Sequence, residues 1–268
     1  MNMTPRSDVL RGFSIGSILA GTSRRGLSVA LLLTLVFAIA TMPARMIAGW
    51  LPTQLVLEGF SGTLWQGEVA RAHLKLAQGD FVLGRLSWAL DPVSLLWMAP
   101  TLSLESRWGV QQFSGKVTVL GGDAFSMHEL SARVDTSIAR KFIPLYIGGS
   151  LAADISLLRV DAGQLNEIQG RVTWQNAAWT ARSGDVALGT YALDISGERG
   201  DIRGEVVTLA GPLTVTGELA LLDQRYRVAL DLTGPALTNQ GLRDALLLMA
   251  VPTEQGFDVT FEGAVPAR

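Results

Sequence analysis

The sequence of 268 residues contains no cysteine. Disulfide bonds and metal sites built on thiolates are therefore excluded, and the folded part must be stable through packing alone. Only two histidines are present, His73 and His128. His73 lies on the polar side of an alternating segment, and Glu129 beside His128 adds too few ligands for a metal site. The composition predicts no metal and no other cofactor.

Signals for catalysis and for nucleic-acid binding are also scarce. Gly12-Phe13-Ser14-Ile15-Gly16 matches the G-x-S-x-G pattern of serine hydrolases, but no strand–turn–helix pattern surrounds it. The carboxylates are spread along the chain, without spacing that predicts a converging acid–base pair. The net charge is −2, whereas a nucleic-acid-binding surface needs clustered Lys and Arg. We therefore expect neither an enzyme nor a nucleic-acid-binding protein.

Only one uncharged apolar run is long enough to cross a membrane. It covers Gly26–Ala44, and as a helix it would be about 28 Å long, close to the hydrocarbon thickness of a bilayer. The arginines before it predict a cytoplasmic tail at residues 1–25 and an extracytoplasmic domain at residues 45–268. The alternative is a cleaved signal peptide, because Ala38-Ile39-Ala40 has the A-x-A form. The predicted anchor residues are Arg24, Arg25, Leu31, Leu32, Leu33, Phe37 and Trp50.

The remainder of the chain alternates apolar and polar residues in short segments separated by Gly, Asp and Pro. Ala70–Leu76 and Leu86–Leu90 are examples. Period-two alternation is typical of strands with one buried and one solvated face. We therefore predict a mainly β protein whose antiparallel strands form a curved open sheet, a sandwich or a partial barrel. Three segments read as short helices instead: Pro92–Met98, Ser137–Tyr146 and Asn239–Met249.

The segment Gly59–Val69 is punctuated by three glycines and carries Leu64 and Trp65. Glycine inside a strand marks a bulge or a close backbone approach. One interpretation is the first hairpin of the domain, with Trp65 packed into its start. The other is a contact edge near the membrane, and the two are compatible.

The order of several motifs resembles that of the type II secretion system protein N family. Leu51-Pro52 follows the apolar run, and three further motifs come after it: Gly62-Thr63-Leu64-Trp65-Gln66-Gly67, then Leu86–Pro92, then Gly149–Leu151 with Gly170–Ala177 downstream. The residues that carry the resemblance, and that are candidates for an interface, are Gly59, Gly62, Thr63, Leu64, Trp65, Gly67, Trp88, Pro92 and Trp174.

This resemblance implies an accessory component, anchored in the inner membrane, of the machinery that exports folded proteins from the periplasm. Its partners would be the outer-membrane secretin or the inner-membrane platform, and no chemistry is implied. The Gly-Thr-Leu-Trp-x-Gly opening is also similar to that of AsmA-like and TamB-like periplasmic β-proteins. The alternative function is therefore a lipid-binding or lipid-transfer groove. A packed apolar face would favour the scaffold, and an empty one would favour a bound lipid.

Overall fold

The computed structural model describes residues 24–46, 54–76, 79–136, 147–181, 184–222 and 224–264. The chain divides into two units, Met1–Met42 and Pro43–Arg268, and each is described by itself. Trp50 and the helix predicted for Ser137–Tyr146 lie outside the described residues. So does most of the tail predicted for residues 1–25.

The described residues of the first unit form the helix α1 (Arg24–Ala40), which is 17 residues long. It ends before Pro43, whose ring disfavours helical backbone at the preceding residue. Within the part of the chain that the structure describes, no helix is both long and apolar enough to cross a membrane. The spanning helix predicted for residues 26–44 is therefore not supported by the structure.

The second unit is built on one antiparallel sheet of fourteen strands. Neighbouring strands follow one another along the chain, except that β14 lies between β12 and β13. The sheet is open and curved, which confirms the predicted mainly β, antiparallel class. The strands are β1 (Leu55–Gly62), β2 (Gln66–Leu76), β3 (Gly79–Leu90), β4 (Thr101–Trp108), β5 (Gln111–Gly121), β6 (Ala124–Asp135), β7 (Ile147–Asp161), β8 (Gln164–Ala181), β9 (Gly184–Glu198), β10 (Asp201–Ala210), β11 (Thr214–Leu222), β12 (Arg225–Thr233), β13 (Val251–Pro252) and β14 (Gly256–Ala264).

The alternation of the sequence gives the sheet one apolar and one polar face. Residues paired directly across antiparallel strands lie on the same face, so the register identifies rows that cross the sheet. One apolar row contains Phe60, Val69, Leu86, Ser106, Phe113, Ala132, Ala153, Val172, Leu193, Val206, Gly217, Leu230 and Val259. The adjacent row on the other face contains Glu68, Ser87, Glu105, Ser114, Ser131, Asp154, Arg171, Asp194, Glu205, Glu218, Ala229 and Thr260.

Glycines on the apolar face make room for large side chains of neighbouring strands. A methyl group on Gly170 would lie 2.6 Å from Cδ1 of Ile155, and one on Gly204 would lie 2.8 Å from Cδ1 of Leu193. These distances are well below van der Waals contact, so the isoleucine and leucine occupy the space that the glycines leave. The apolar face is in this way packed by its own side chains.

Two helical segments after β12 cover part of the apolar face near the end of the chain. They are a 3-10 helix, Pro235–Thr238, and α2 (Gln240–Leu246). Leu237 and Leu242 are buried there in one cluster with Phe257 and Tyr191. The Tyr191 hydroxyl donates a 2.9 Å hydrogen bond to the carbonyl of Leu213, and burial raises the pKa of Tyr191 to about 12.

Both described helices that the sequence predicts in this unit are shorter than expected. The segment Pro92–Met98 forms a 3-10 helix over Val93–Trp97 rather than an α-helix. The segment Asn239–Met249 forms α2, with Asn239 as its N-cap, and it ends at Leu246. Met249 therefore does not share a helix face with Leu242; it is exposed beyond the end of the helix.

The alternation predicted for residues 70–76 is interrupted. Val69 and Ala72, three residues apart, are both fully buried, whereas Ala70 is exposed. The pairing of β2 with β3 shifts register between these two buried residues, and such a bulge turns the following side chains to the other face. The period of two therefore holds on each side of the bulge but not across it.

Candidate interaction surfaces

The predicted motif Gly62–Gly67 forms the tight connection between β1 and β2. The backbone N–H of Thr63 donates a 2.7 Å hydrogen bond to the carbonyl of Gln66, and the N–H of Gln66 donates a 3.2 Å hydrogen bond to Oγ1 of Thr63. Gly62 has φ +83°, and a side chain there would meet the carbonyl oxygen of Gln66 at 2.5 Å. This connection confirms the interpretation of the segment as the first hairpin.

Trp88, which was not predicted to do so, is a buried tryptophan that packs into the hairpin. Trp88 is only 7% exposed, and its Nε1–H donates a 3.1 Å hydrogen bond to the carbonyl of Leu64. Its six-membered ring lies over Gly67, where any side chain would collide with it. Phe60 contacts the same ring edge-on at 6.4 Å between centroids. The motif residues thus have a structural role: they seat Trp88 against the β1–β2 turn.

Trp174 plays a comparable part farther along the sheet. Its Nε1–H donates a 3.1 Å hydrogen bond to the carbonyl of Gly148, and its ring lies 6.0 Å from the ring of Tyr191. Gly149 follows with φ +109°. The third predicted motif is therefore also a packing motif, and it joins β7, β8 and β9.

The connection from β3 to β4 carries exposed apolar side chains. We call Val93–Met98 the β3–β4 apolar loop. Leu96 is 81% exposed, Trp97 79% and Met98 87%. Pro92 precedes the helical turn, and the segment from Pro92 to Pro100 contains no charged residue.

Hydrogen bonds at the base of this loop hold it in one conformation. Oδ1 of Asp91 accepts a 3.0 Å hydrogen bond from the N–H of Val93. The buried hydroxyl of Ser94 donates to the carbonyl of Asp91 at 2.6 Å and accepts from the N–H of Thr101 at 2.8 Å. Ser94 thus ties the loop to the start of β4, while the apolar side chains that follow it point into solvent.

A second exposed apolar segment lies between α2 and β13. We call Leu247–Val251 the α2–β13 apolar loop. Leu248 is 87% exposed, and Leu247, Met249 and Val251 are also exposed. Connections after odd-numbered strands lie at the β1–β2 end of the sheet, whereas this segment follows β12 and lies at the opposite end. The two apolar loops therefore mark opposite ends, near the first and the last strands respectively.

An incompletely paired strand lies beside the α2–β13 apolar loop. On its outer side, β14 pairs only through Phe257 and Asp258, with the two residues of β13. Within the described residues, no strand lies against the outer side of Val259–Ala264. Such an edge presents unpaired backbone N–H and C=O groups.

The polar face contains a shallow trough that crosses the sheet from β1 to β9. It consists of three adjoining depressions, of which the first two share Glu105 and the last two share Asp154. Serines and carboxylates line it, and Oδ1 of Asp154 accepts a 3.0 Å hydrogen bond from the Ser131 hydroxyl. Polar residues are thus frequent in the lining of these three depressions, and only the middle one exposes mainly polar surface.

One ion pair in the trough joins two neighbouring strands, β8 and β9. Nε and Nη2 of Arg171 donate to the two carboxylate oxygens of Asp194 at 2.5 and 2.8 Å. This pair holds the pKa of Asp194 below its usual range and raises the pKa of Arg171. Among the described residues, no group of three or more His, Cys, Asp or Glu side chains is placed to hold a metal ion.

The remaining predicted residues are only partly placed by the structure. Leu31, Leu32, Leu33 and Phe37 lie on α1 and are exposed. Arg24 and Arg25 form its first turn, and Trp50 lies outside the described residues. The free edge of β14 was not predicted. The apolar run Ala245–Val251 is visible in the sequence, but nothing in its pattern shows that it is exposed.

The chain has relatives among known proteins. Residues 53–260 match the model of the family "Type II secretion system (T2SS), protein N". The chain is 27% identical over 243 residues to type II secretion system protein N of Aeromonas hydrophila, covering 85% of this chain and 93% of that protein. It is 28% identical over 221 residues to the protein of the same name from Vibrio cholerae serotype O1, covering 77% and 83% respectively. No solved structure matches. The family match spans most of the strands described above, and the chain therefore belongs to the type II secretion system protein N family.

Proposed function

We propose that this chain is an accessory component of the type II secretion machinery that binds another component by strand addition at β14. The observation that carries the proposal is the unpaired outer side of Val259–Ala264. An added strand would gain main-chain hydrogen bonds from this edge and specificity from alternate side chains. The α2–β13 apolar loop beside it supplies apolar surface for the same partner.

The outer side of β1 is less suited to this role, although it also has no strand against it in the described residues. Gly59 and Gly62 have φ of +74° and +83°, so the backbone of β1 departs from the extended form twice. In β14 no residue has positive φ. A continuous ladder therefore fits β14 better than β1.

A lipid-carrying groove is less well supported than a scaffold. The apolar face is packed by its own side chains, as Ile155 over Gly170 illustrates, and in part by α2. The trough lies on the polar face instead. An acyl chain needs an apolar trough, so the described surface favours a protein partner.

We further propose that α1 attaches the chain to the inner membrane, with the β domain in the periplasm. The apolar side chains of α1 are exposed, and no charged residue lies between Gly26 and Ala40. An exposed apolar helix is stabilised by transfer into lipid. The arginines before it favour a cytoplasmic start.

Photocrosslinking in cells tests the strand-addition proposal. A benzophenone amino acid replaces Thr260 on β14, Ser61 on β1 or, as the control, Glu218 on β11, an interior strand that is paired on both sides. All three side chains are exposed, and Glu218 and Thr260 belong to the same row of the polar face. We expect an adduct with another type II component from position 260 only, absent from cells that lack the machinery. Adducts from position 61 alone, or equally from position 218, would contradict the use of β14.

The same cells test the attachment by α1. We expect the full chain to stay with the membranes after alkaline carbonate extraction, and a variant lacking residues 26–40 to be released. Release of the full chain would contradict attachment by α1. It would not affect the crosslinking result, so the two parts of the proposal can fail separately.

A further inference from the structure

We propose that the β3–β4 apolar loop inserts into the surface of a lipid bilayer and gives the β domain a second membrane contact. This inference goes beyond binding at β14, and it rests on the proposed attachment of α1. Its partner is the lipid surface itself, not a single lipid held in a groove.

The exposure of the loop is a consequence of how it is built. Leu96, Trp97 and Met98 are each at least 79% exposed, while Ser94 is buried and fastened to the start of β4. Met98 adopts the left-handed conformation, with φ +55°, which is uncommon for a residue other than glycine. A rigid base therefore presents three large apolar side chains to the surroundings.

The composition of the loop fits the bilayer interface. No charged residue occurs from Pro92 to Pro100, and the exposed side chains include a tryptophan. Tryptophan is enriched at membrane interfaces because its ring is apolar and its N–H is polar. Segments of this kind bury their apolar side chains about 5–10 Å into the boundary between headgroups and acyl chains.

The position of the loop at one end of the sheet favours lipid as its partner. The domain begins at Pro43, which is bridged to Thr63 at the β1–β2 turn. Gln66 pairs with Ala89 near the end of β3, so the β3–β4 apolar loop follows at the same end of the sheet. Only Thr41 and Met42 separate α1 from Pro43, and a chain that short spans only about 10 Å. The β3–β4 apolar loop therefore lies at the end of the sheet where the chain enters the domain from α1.

Of the neighbouring connections at this end, the β1–β2 turn, residues 62–67, has no charged residue. The segment 117–122 at the end of β5 is also uncharged, and Asp123 follows it in the β5–β6 turn. Within that segment, Val119 and Leu120 are exposed. Entry of the β1–β2 turn into the interface would therefore dehydrate no ionic group, whereas the β5–β6 turn would have to keep Asp123 in water.

The test uses the full chain in vesicles of phosphatidylethanolamine and phosphatidylglycerol. Because the chain has no cysteine, single variants Leu96→Cys and Leu248→Cys can each carry one environment-sensitive fluorophore. The two leucines are 81% and 87% exposed, so they form a matched pair, and circular dichroism checks that both variants fold. Lipids carrying a doxyl quencher near the headgroup report contact with the bilayer.

We expect the label at position 96 to lose most of its emission to the quencher and the label at position 248 to keep it. Equal quenching at both positions would indicate non-specific adsorption and would overturn the proposal. Flotation of the chain with the vesicles but without quenching at position 96 would overturn it too, while leaving the attachment by α1 intact. A chain that does not float contradicts the attachment, and with it this proposal.

Trp97→Ser provides a second readout in the Leu96→Cys background. Removing the ring should reduce quenching at position 96 severalfold without reducing flotation, because α1 is unchanged. Unchanged quenching would show that the ring does not enter the interface. Loss of flotation would show that the loop, not α1, is the main attachment.

Discussion

The two apolar loops of the β domain are similar in composition but differ in what lies beneath them. The strand that precedes the β3–β4 apolar loop, β3, contributes Trp88 to a small cluster with Val69 and Ala72. Beside the α2–β13 apolar loop is a larger cluster that includes a helix residue, Leu242, and the edge-strand residue Phe257. One loop thus projects from a turn between paired strands, and the other adjoins an unfinished edge of the sheet. Exposed apolar side chains of the same kind can therefore have different surroundings, and these surroundings determine which groups can reach them.

The largest expected effect comes from Trp88, on the strand that precedes the β3–β4 apolar loop. Trp88→Ala should lower the free energy of unfolding by about 3–5 kcal/mol, because it opens a cavity over Gly67 and removes the donor to the carbonyl of Leu64. Trp97→Ala, in the exposed loop, should change it by less than about 0.5 kcal/mol. Denaturant unfolding of the two variants measures both values. A similar loss from the two tryptophans would show that the loop is part of the core.

At the opposite end of the sheet, the corresponding buried and exposed side chains are those of Leu242 and Leu248. Leu242 is 5% exposed, so Leu242→Ala should cost about 2–5 kcal/mol of stability through the cavity that it leaves. Leu248→Ala should cost less than about 0.5 kcal/mol. The same unfolding measurement applies. If Leu248→Ala proved the more destabilising, the α2–β13 apolar loop would be buried in solution, and its role in binding a partner would be wrong.

The smallest expected effect is a difference in the loss of stability between two substitutions, each of which removes a side-chain hydrogen-bond acceptor at the start of a helical turn. Asn239→Ala removes the acceptor of the 3.1 Å hydrogen bond from the N–H of Leu242 and should cost about 1 kcal/mol, because α2 packs on the core. Asp91→Ala removes the comparable acceptor for Val93, but it should change global stability by only about 0.5 kcal/mol.

For Asp91→Ala the effect should instead be local, because Ser94 is the one buried residue of its helical turn. Hydrogen exchange at the backbone amides of the β3–β4 apolar loop should become faster, while Asp91→Asn, which keeps an acceptor oxygen, should leave it unchanged. If Asp91→Ala and Asn239→Ala lowered the free energy of unfolding by the same amount, the two helical turns would contribute equally to the stability of the core, which contradicts this prediction.

Much of the sheet could be predicted from local pattern. Leu86, Trp88 and Leu90 alternate with polar residues, and the register places Leu86 in an apolar row and Ser87 in a polar one. The interruption between Val69 and Ala72 could not be predicted, because the bulge arises from the pairing of β2 with β3. Local periodicity carries no information about a register shift against another strand.

The candidate surfaces were less predictable than the strands. Glycines mark the motif Gly62–Gly67 in the sequence. A side chain at Gly67 is excluded, however, by the ring of Trp88, which lies on the next strand, β3. The start of α2 could be predicted from Asn239, whereas its end at Leu246 could not, since no glycine or proline stands there. The apolar run that follows looks the same in sequence whether it is buried or exposed.

Local residue pattern specifies the class of the domain, the two faces of its strands and its resemblance to the type II secretion system protein N family. Those properties follow from residue type and period, which act over a few neighbouring positions. The burial of Trp88 against the hairpin, and the position of β14 between β12 and β13 with six residues of open edge, become visible in the folded domain alone. Those properties depend on contacts between residues far apart in the chain, and the free energy of such contacts belongs to pairs of strands rather than to any single segment.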